Sequence, residues 1–196
     1  MRSASGGLPN VLTRLKLETA PAHRRLESDL GLSRETVSEP RIRRLLERFH
    51  GFYRVWEPWV ASSGLDETFF GPRRKLALVE TDLRALGVAE PHLLPAYPFL
   101  LGPATLEQAM GSLYVIEGSM LGGQVIRRWI MDAPWQPGGG FAYFNAYGSD
   151  VGRMWRSVQE RLLSLASVAG EDGIVRAASL TFEGLHGWLC AREEQA

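Results

Sequence analysis

The sequence is poor in several features, and each shortage excludes something. It has a single cysteine, Cys190, which rules out an intramolecular disulfide framework and a cysteine-rich zinc site and suits a reducing compartment. It has no excess of charge, with 22 Lys and Arg against 22 Asp and Glu, so nothing marks it as a general polyanion or nucleic-acid binder. No uninterrupted apolar stretch approaches the length of a membrane span, and the opening MRSASGGLPN lacks the apolar run of a secretion signal. A cytoplasmic chain with no membrane and no nucleic-acid partner is expected. Sustained strand alternation, internal repeats and low-complexity blocks are missing as well.

What is present is an ordinary globular composition, 45% hydrophobic and 22% charged over 196 residues, enough for one domain with a sizeable core. The expected division is a flexible N-terminus over 1–9, one all-α domain over 10–190 and a short tail over 191–196. The most unusual stretch is GSLYVIEGSMLGGQVI, Gly111 to Ile126. It reads as a helix although it carries four glycines, each costing roughly 0.5–1 kcal/mol relative to alanine in a helix interior. At 3.6 residues per turn, Leu106, Ala109, Leu113, Ile116 and Met120 share one side; Gly111, Tyr114, Gly118, Gly122 and Val125 share the other. A bare front of this kind admits either a closely packed helix or a planar ligand. Gly123 falls off that face, and the pair Gly122-Gly123 predicts a bend.

The first periodic segment, Pro9 to Leu30, places His23 on the face that also holds Leu12, Lys16, Thr19, Leu26 and Leu30. His23 is thus expected to point to the core, either as a satisfied core histidine or as a metal ligand. Lys16 lies two turns before it, about 10 Å along the axis, which suits a ligand with a metal at one point and a carboxylate at its rim. Pro21 predicts a restarted helix with Thr19 as its cap.

A second helix is expected over Glu39 to Val60. It turns Ile42, Leu45, Leu46, Phe49, Phe52, Tyr53 and Trp56 inward and leaves Arg41, Arg43, Arg44 and Arg48 as a solvated face or a docking patch for an acidic electron-transfer partner. His50 is expected to be structural and His92 exposed. Arg73 to Leu86 reads as one shorter helix ended by Gly87. Thr105 and Gln108 form a capping box for the glycine helix. APWQPGGGF is a turn-rich connector rather than a phosphate loop, and two helices, about Ser149 to Val168 and Asp172 to Cys190, complete the chain.

GSLYVIEGSMLGGQVI resembles the distal helix of heme oxygenases, and TAPAHRRLE around His23 resembles their proximal segment. The similarity is closest to the bacterial branch encoded beside bacteriophytochromes; FNAYGSDVGRMWRSVQERL resembles that branch's next helix. It extends over about residues 10 to 190. The resemblance implies a single-domain all-α bundle holding heme between a proximal and a distal helix. It implies His23 as the axial ligand of the heme iron, with Gly118, Gly122 and Gly123 against the opposite face of the macrocycle. Lys16 and Arg156 match positions that contact the propionates, with Tyr114 assisting.

The implied reaction opens the heme ring with dioxygen and external electrons, from a donor such as reduced ferredoxin or ascorbate, and releases biliverdin, carbon monoxide and ferrous iron. An electron-transfer protein and a bacteriophytochrome accepting biliverdin are the implied partners. In many members an aspartate follows the first distal glycine and anchors the proton-delivering water network. Here that position is Ser119, whose hydroxyl lacks the acidity and charge of a carboxylate. Ser119 therefore also admits a non-catalytic heme carrier or sensor, and the fold alone admits a heme-free relative acting on a thiamine-like or quinone-precursor substrate.

Overall fold

The computed structural model describes residues 10–98, 102–135 and 141–191; the expected flexible start, most of the expected tail and the middle of the APWQPGGGF connector lie outside them. The described residues are helical, with no strand. The helices are α1 (Val11–Leu30), α2 (Glu39–Ala61), α3 (Glu67–Phe70), α4 (Leu76–Ala85), α5 (Leu106–Met131), α6 (Val151–Ala169) and α7 (Asp172–Leu189). The glycine helix α5 is the centre of the bundle and packs on α7 and α6; α1 lies on α7 and α6, and α2 on α4.

Local chemistry fixes the helix ends. Asn10 caps α1 by accepting from the Thr13 amide at 3.0 Å. The Thr105–Gln108 capping box at the start of α5 is complete in both directions. After α4, Gly87 takes φ 82°, and the amides of Gly87 and Val88 donate to the carbonyls of Arg84 and Leu83 at 3.0 and 2.9 Å, the paired closure that favours glycine at this position.

Two expectations about the helices fail for identifiable reasons. Pro21 does not restart α1: the helix runs through it, and the Thr19 hydroxyl donates back to the Leu15 carbonyl at 2.7 Å instead of capping. Pro21 and Leu17 are both exposed, so the one carbonyl left without its helical donor is open to water. The single helix expected from Arg73 to Leu86 is broken, with a 3-10 turn at Gly71–Arg73 preceding α4. The break is made by tertiary contacts. The Glu57 carboxylate on α2 accepts from the amides of Lys75 and Leu76 at 2.5 and 2.8 Å, capping α4 from outside its own sequence.

That cap turns Arg73 and Lys75 inward, where both are buried. The Lys75 ammonium sits 3.2 Å from the Glu117 carboxylate and also donates to the Arg73 carbonyl and the Tyr147 hydroxyl. Tyr147 donates to Glu117 at 2.7 Å, and Arg73 approaches the same carboxylate at 3.6 Å. Burial depresses both basic groups and raises the Tyr147 phenol. Removing one partner from such a cluster costs about 3–5 kcal/mol because it strands the other charge. The cluster therefore fixes α5 from behind, at the residue preceding Gly118.

The arginines of α2 are largely spent within the molecule. Arg41 donates to the Leu30 carbonyl at 2.7 Å, Arg44 to the Ala191 carbonyl at 3.0 Å, Arg43 pairs with Glu47 at 3.0 Å, and Arg48 lies over the Trp188 ring. His50 is fully buried against Glu80, and His92 is exposed, both as expected.

Asp82 on α4 ties down the far end of the connector by accepting from the amides of Ala142 and Tyr143 at 2.7 and 2.8 Å. Burial pushes its carboxyl up to about 6, against the pull of these two donors. The folded protein therefore binds this proton more tightly than the unfolded chain does. The resulting stability is complete below the ordinary value of 3.8 and is lost as pH rises through about 6. Up to about 3 kcal/mol is at stake. Urea midpoints measured across that window should fall more steeply for the wild type than for Asp82→Asn, which cannot titrate; parallel profiles would show that Asp82 does not carry the effect.

Candidate functional site

A cavity of ≈ 750 Å³ opens between α1 and α5, within the range of about 300–1,000 Å³ usual for small-molecule sites. Its lining is predominantly apolar, with contributions from α2, α6, α7 and the Tyr143-Phe144 segment as well as the two main walls. The α1 wall presents Lys16, Thr19, His23 and Glu27; the α5 wall presents Tyr114, Gly118, Ser119, Gly122 and Gly123.

His23 does not enter the packed core. Its side chain is 51% exposed and looks across the cavity, because the α1 face that carries it meets an opening at this level instead of another helix. Leu26, one turn further on, is buried as expected. One ring nitrogen of His23 lies 3.3 Å from the Glu27 carboxylate, and the ring packs 5.4 Å from Phe182. A half-exposed imidazole facing an opening can offer a ring nitrogen to a metal. Lys16 is exposed and borders the same space.

The bare face of α5 divides into two parts. A Cβ on Gly111 would clash with the Ile174 carbonyl and come 2.7 Å from the Ala177 Cβ, so this glycine serves close packing against α7. Further along, a Cβ on Gly118 would meet only the Trp155 ring, at 3.5 Å, and one on Gly122 would meet nothing within 4 Å. These two glycines expose backbone to the cavity. Gly123 is buried and backs onto Phe144, 3.7 Å from where its Cβ would lie. The helix continues through Gly122-Gly123 to Met131.

The polar groups near this wall are few and mostly committed. Ser119 donates its hydroxyl to the Ile116 carbonyl of its own helix at 2.7 Å. Tyr114 is partly buried, stacks 5.4 Å from Trp155 and interacts with the Thr19 hydroxyl; burial raises its phenol. Arg156 is exposed on α6, one residue past Trp155, and does not line the cavity. Seven of the eight sequence-predicted site residues are thus brought together, namely Lys16, His23, Tyr114, Gly118, Ser119, Gly122 and Gly123, and Arg156 stands apart.

Sequence reasoning missed Glu27, Trp155, Phe182 and Tyr143. Glu27 had a usable signal, four residues after His23 on the same helical face. The others come from separate elements, and no periodicity joins them to the site. Among the described residues there is no group of three or more His, Cys, Asp or Glu placed to hold a metal ion, and no helix is long and apolar enough to cross a membrane.

With this geometry in view, one comparison with known proteins is informative. The chain is 34% identical over 155 residues to a heme oxygenase of Xanthomonas campestris pv. campestris (strain 8004), a match covering 77% of this chain and 86% of that relative. No protein-family model matches the chain, and no solved structure matches it.

Proposed function

The chain belongs to the heme oxygenase family, and on that premise we propose that it opens heme oxidatively to biliverdin, carbon monoxide and ferrous iron, using dioxygen and external electrons. The observation that carries this reading is the cavity with a single half-exposed imidazole on one wall and bare glycine backbone on the other. A lone histidine is a poor site for a bare metal ion, which needs several protein donors, but it suits iron that arrives with four equatorial nitrogens. The open space at Gly122 and the apolar lining suit a broad, flat, hydrophobic group.

Heme supplies both the oxygen-activating iron and the carbon skeleton that is cleaved. The protein's part is placement. His23 would hold the iron through a ring nitrogen, with Glu27 beside the ring on the same helix. Gly118 and Gly122 keep side chains away from the opposite face, with Gly123 shaping the wall behind them. The steric limit set there favours attack on the ring edge. Ser119, Gly118 and Gly122 form the catalytic side of the pocket. Lys16 and Tyr114 seat the propionates at the rim, and Arg156, outside the cavity lining beside Trp155, joins them only by reaching over that edge. In this proposal reduced ferredoxin or ascorbate serves as electron donor in a reducing cytoplasm, and a bacteriophytochrome as acceptor of biliverdin, the latter resting on the sequence resemblance of FNAYGSDVGRMWRSVQERL alone.

One observation favours a second reading. With its proton committed to Ile116, Ser119 offers no acid to the cavity, as a heme carrier or sensor would allow. Hemin titration followed by addition of ascorbate or a ferredoxin system decides between them. Imidazole-ligated heme that is consumed to a green pigment supports the oxygenase. Ligated heme that survives reductant and dioxygen supports the carrier, and failure to bind hemin sinks both.

Arg156 gives a separate test of the rim. At an exposed position a single charge contact is worth roughly 0.2–1 kcal/mol, so Arg156→Gln should leave His23 ligation intact and weaken hemin affinity less than about tenfold. Chromatography of the pigment should show an altered ratio of biliverdin isomers. Unchanged ratio and unchanged affinity would place Arg156 outside the site.

A further inference from the structure

Tyr53 and Tyr143 form a buried pair whose hydroxyl oxygens lie 2.9 Å apart, with Tyr53 0% and Tyr143 1% exposed. Among the described residues neither hydroxyl has another hydrogen-bond partner. Two hydroxyls carry two protons but share one hydrogen bond, so one proton is left over. If it belonged to Tyr53 it would be unpaired among the rings of Phe49, Phe52 and Trp56, which is costly for a buried donor. Tyr143 borders the cavity and Tyr53 does not. The economical arrangement has Tyr53 donating to Tyr143, and Tyr143 turning its own proton to the cavity.

From this geometry we infer that Tyr143 is the hydrogen-bond donor to ligands held on the α5 side of the bound heme, the role left open by Ser119. Its position is fixed from two directions: Asp82 holds the Tyr143 amide at 2.8 Å, and Gln124 on α5 donates to the Phe144 carbonyl at 3.3 Å. Burial holds the phenol above its ordinary range, so it stays protonated as a donor at neutral pH. A polarised phenol with a second phenol behind it is a stronger donor than an isolated one. The matching ligand is a small anion or an oxygen atom presented to Tyr143 from the heme face opposite His23.

This inference rests on the heme reading, and fluoride binding to the ferric hemin complex separates the two. Hemin titration of the wild type tests the site itself. Fluoride, a small anion that accepts hydrogen bonds, then reports the distal donor through the visible spectrum without turnover. Fluoride affinity should fall roughly 10- to 100-fold in Tyr143→Phe, the range for a hydrogen bond to a charged acceptor. Hemin affinity should stay within about threefold of wild type, since a hydroxyl-deleting change leaves the packed ring in place. The double variant Tyr53→Phe/Tyr143→Phe leaves no orphaned hydroxyl and should show the same loss, which keeps the test sound if the single variant folds poorly. Equal fluoride affinities in wild type and both tyrosine variants would overturn the assignment of Tyr143. Absence of hemin binding in the wild type would overturn the heme reading, and this inference with it.

Discussion

Replacing His23 by alanine is expected to abolish the imidazole-ligated hemin spectrum and normal turnover while leaving the fold nearly as stable as before. The asymmetry follows from where the residue sits. Its side chain is half exposed, with a Phe182 ring contact and one exposed ion pair to Glu27, interactions worth no more than about 1–2 kcal/mol together. As the single protein donor to iron, its loss should exceed the roughly 10–100-fold that removing a ligand's supporting partner costs. Glu27→Gln should fall within that smaller range. Free imidazole added to His23→Ala should restore part of the ligated spectrum by occupying the space left behind. Hemin titration of the three proteins, with thermal melts alongside, checks each statement. An unchanged spectrum and rate in His23→Ala would remove His23 from the site.

The helices were legible where the code is local. Gly87 and the Thr105–Gln108 box act over a few residues, and the apolar stripes of α2 and α5 are periodic. The failures lie where a distant residue intervenes. Nothing near Arg73 or Lys75 announces that Glu57 will cap the next helix or that Glu117 will draw both basic groups inside. Two cations in an otherwise helical run carry no sign of burial, which the acceptors on α2 and α5 impose from outside. Pro21 misled in the opposite sense, because its cost depends on whether the freed carbonyl meets water.

The candidate site was legible as far as two helices could be read separately. His23 with Lys16 on α1, and Gly118 with Gly122 on α5, come from periodicity. That these faces look at one another across an opening is a tertiary fact, and it explains why His23 is more exposed than a core position would be. Tyr143 follows a connector with no periodic pattern, so its pairing with Tyr53, 90 residues earlier, had no signal in the chain. Glycine spacing alone left packing and ligand approach open for α5. The structure assigns Gly111 to packing and leaves Gly118 and Gly122 facing the cavity.

That division yields the second large effect, a reversal of sign along one helix. At Gly111, even alanine forces its Cβ into the Ile174 carbonyl and to 2.7 Å from the Ala177 Cβ. The obstacle is the backbone of α7, which cannot rotate aside. Overpacking of this kind costs about 1–3 kcal/mol or more, against a helix-propensity gain of about 0.5–1 kcal/mol. Gly111→Ala should therefore lower the melting temperature, by roughly 2–4 °C per kcal/mol for a chain of this size. At Gly122 the added Cβ meets nothing within 4 Å, so Gly122→Ala keeps the propensity gain and should melt a few degrees higher. Gly122→Leu should also fold, yet its side chain would occupy the space opposite His23 and weaken hemin binding at least tenfold. Melting curves and hemin titrations of these variants separate the two halves of the face. Normal hemin binding by Gly122→Leu would reduce Gly122 to a packing residue, and undiminished stability of Gly111→Ala would mean that α7 yields where its backbone contact with α5 says it cannot.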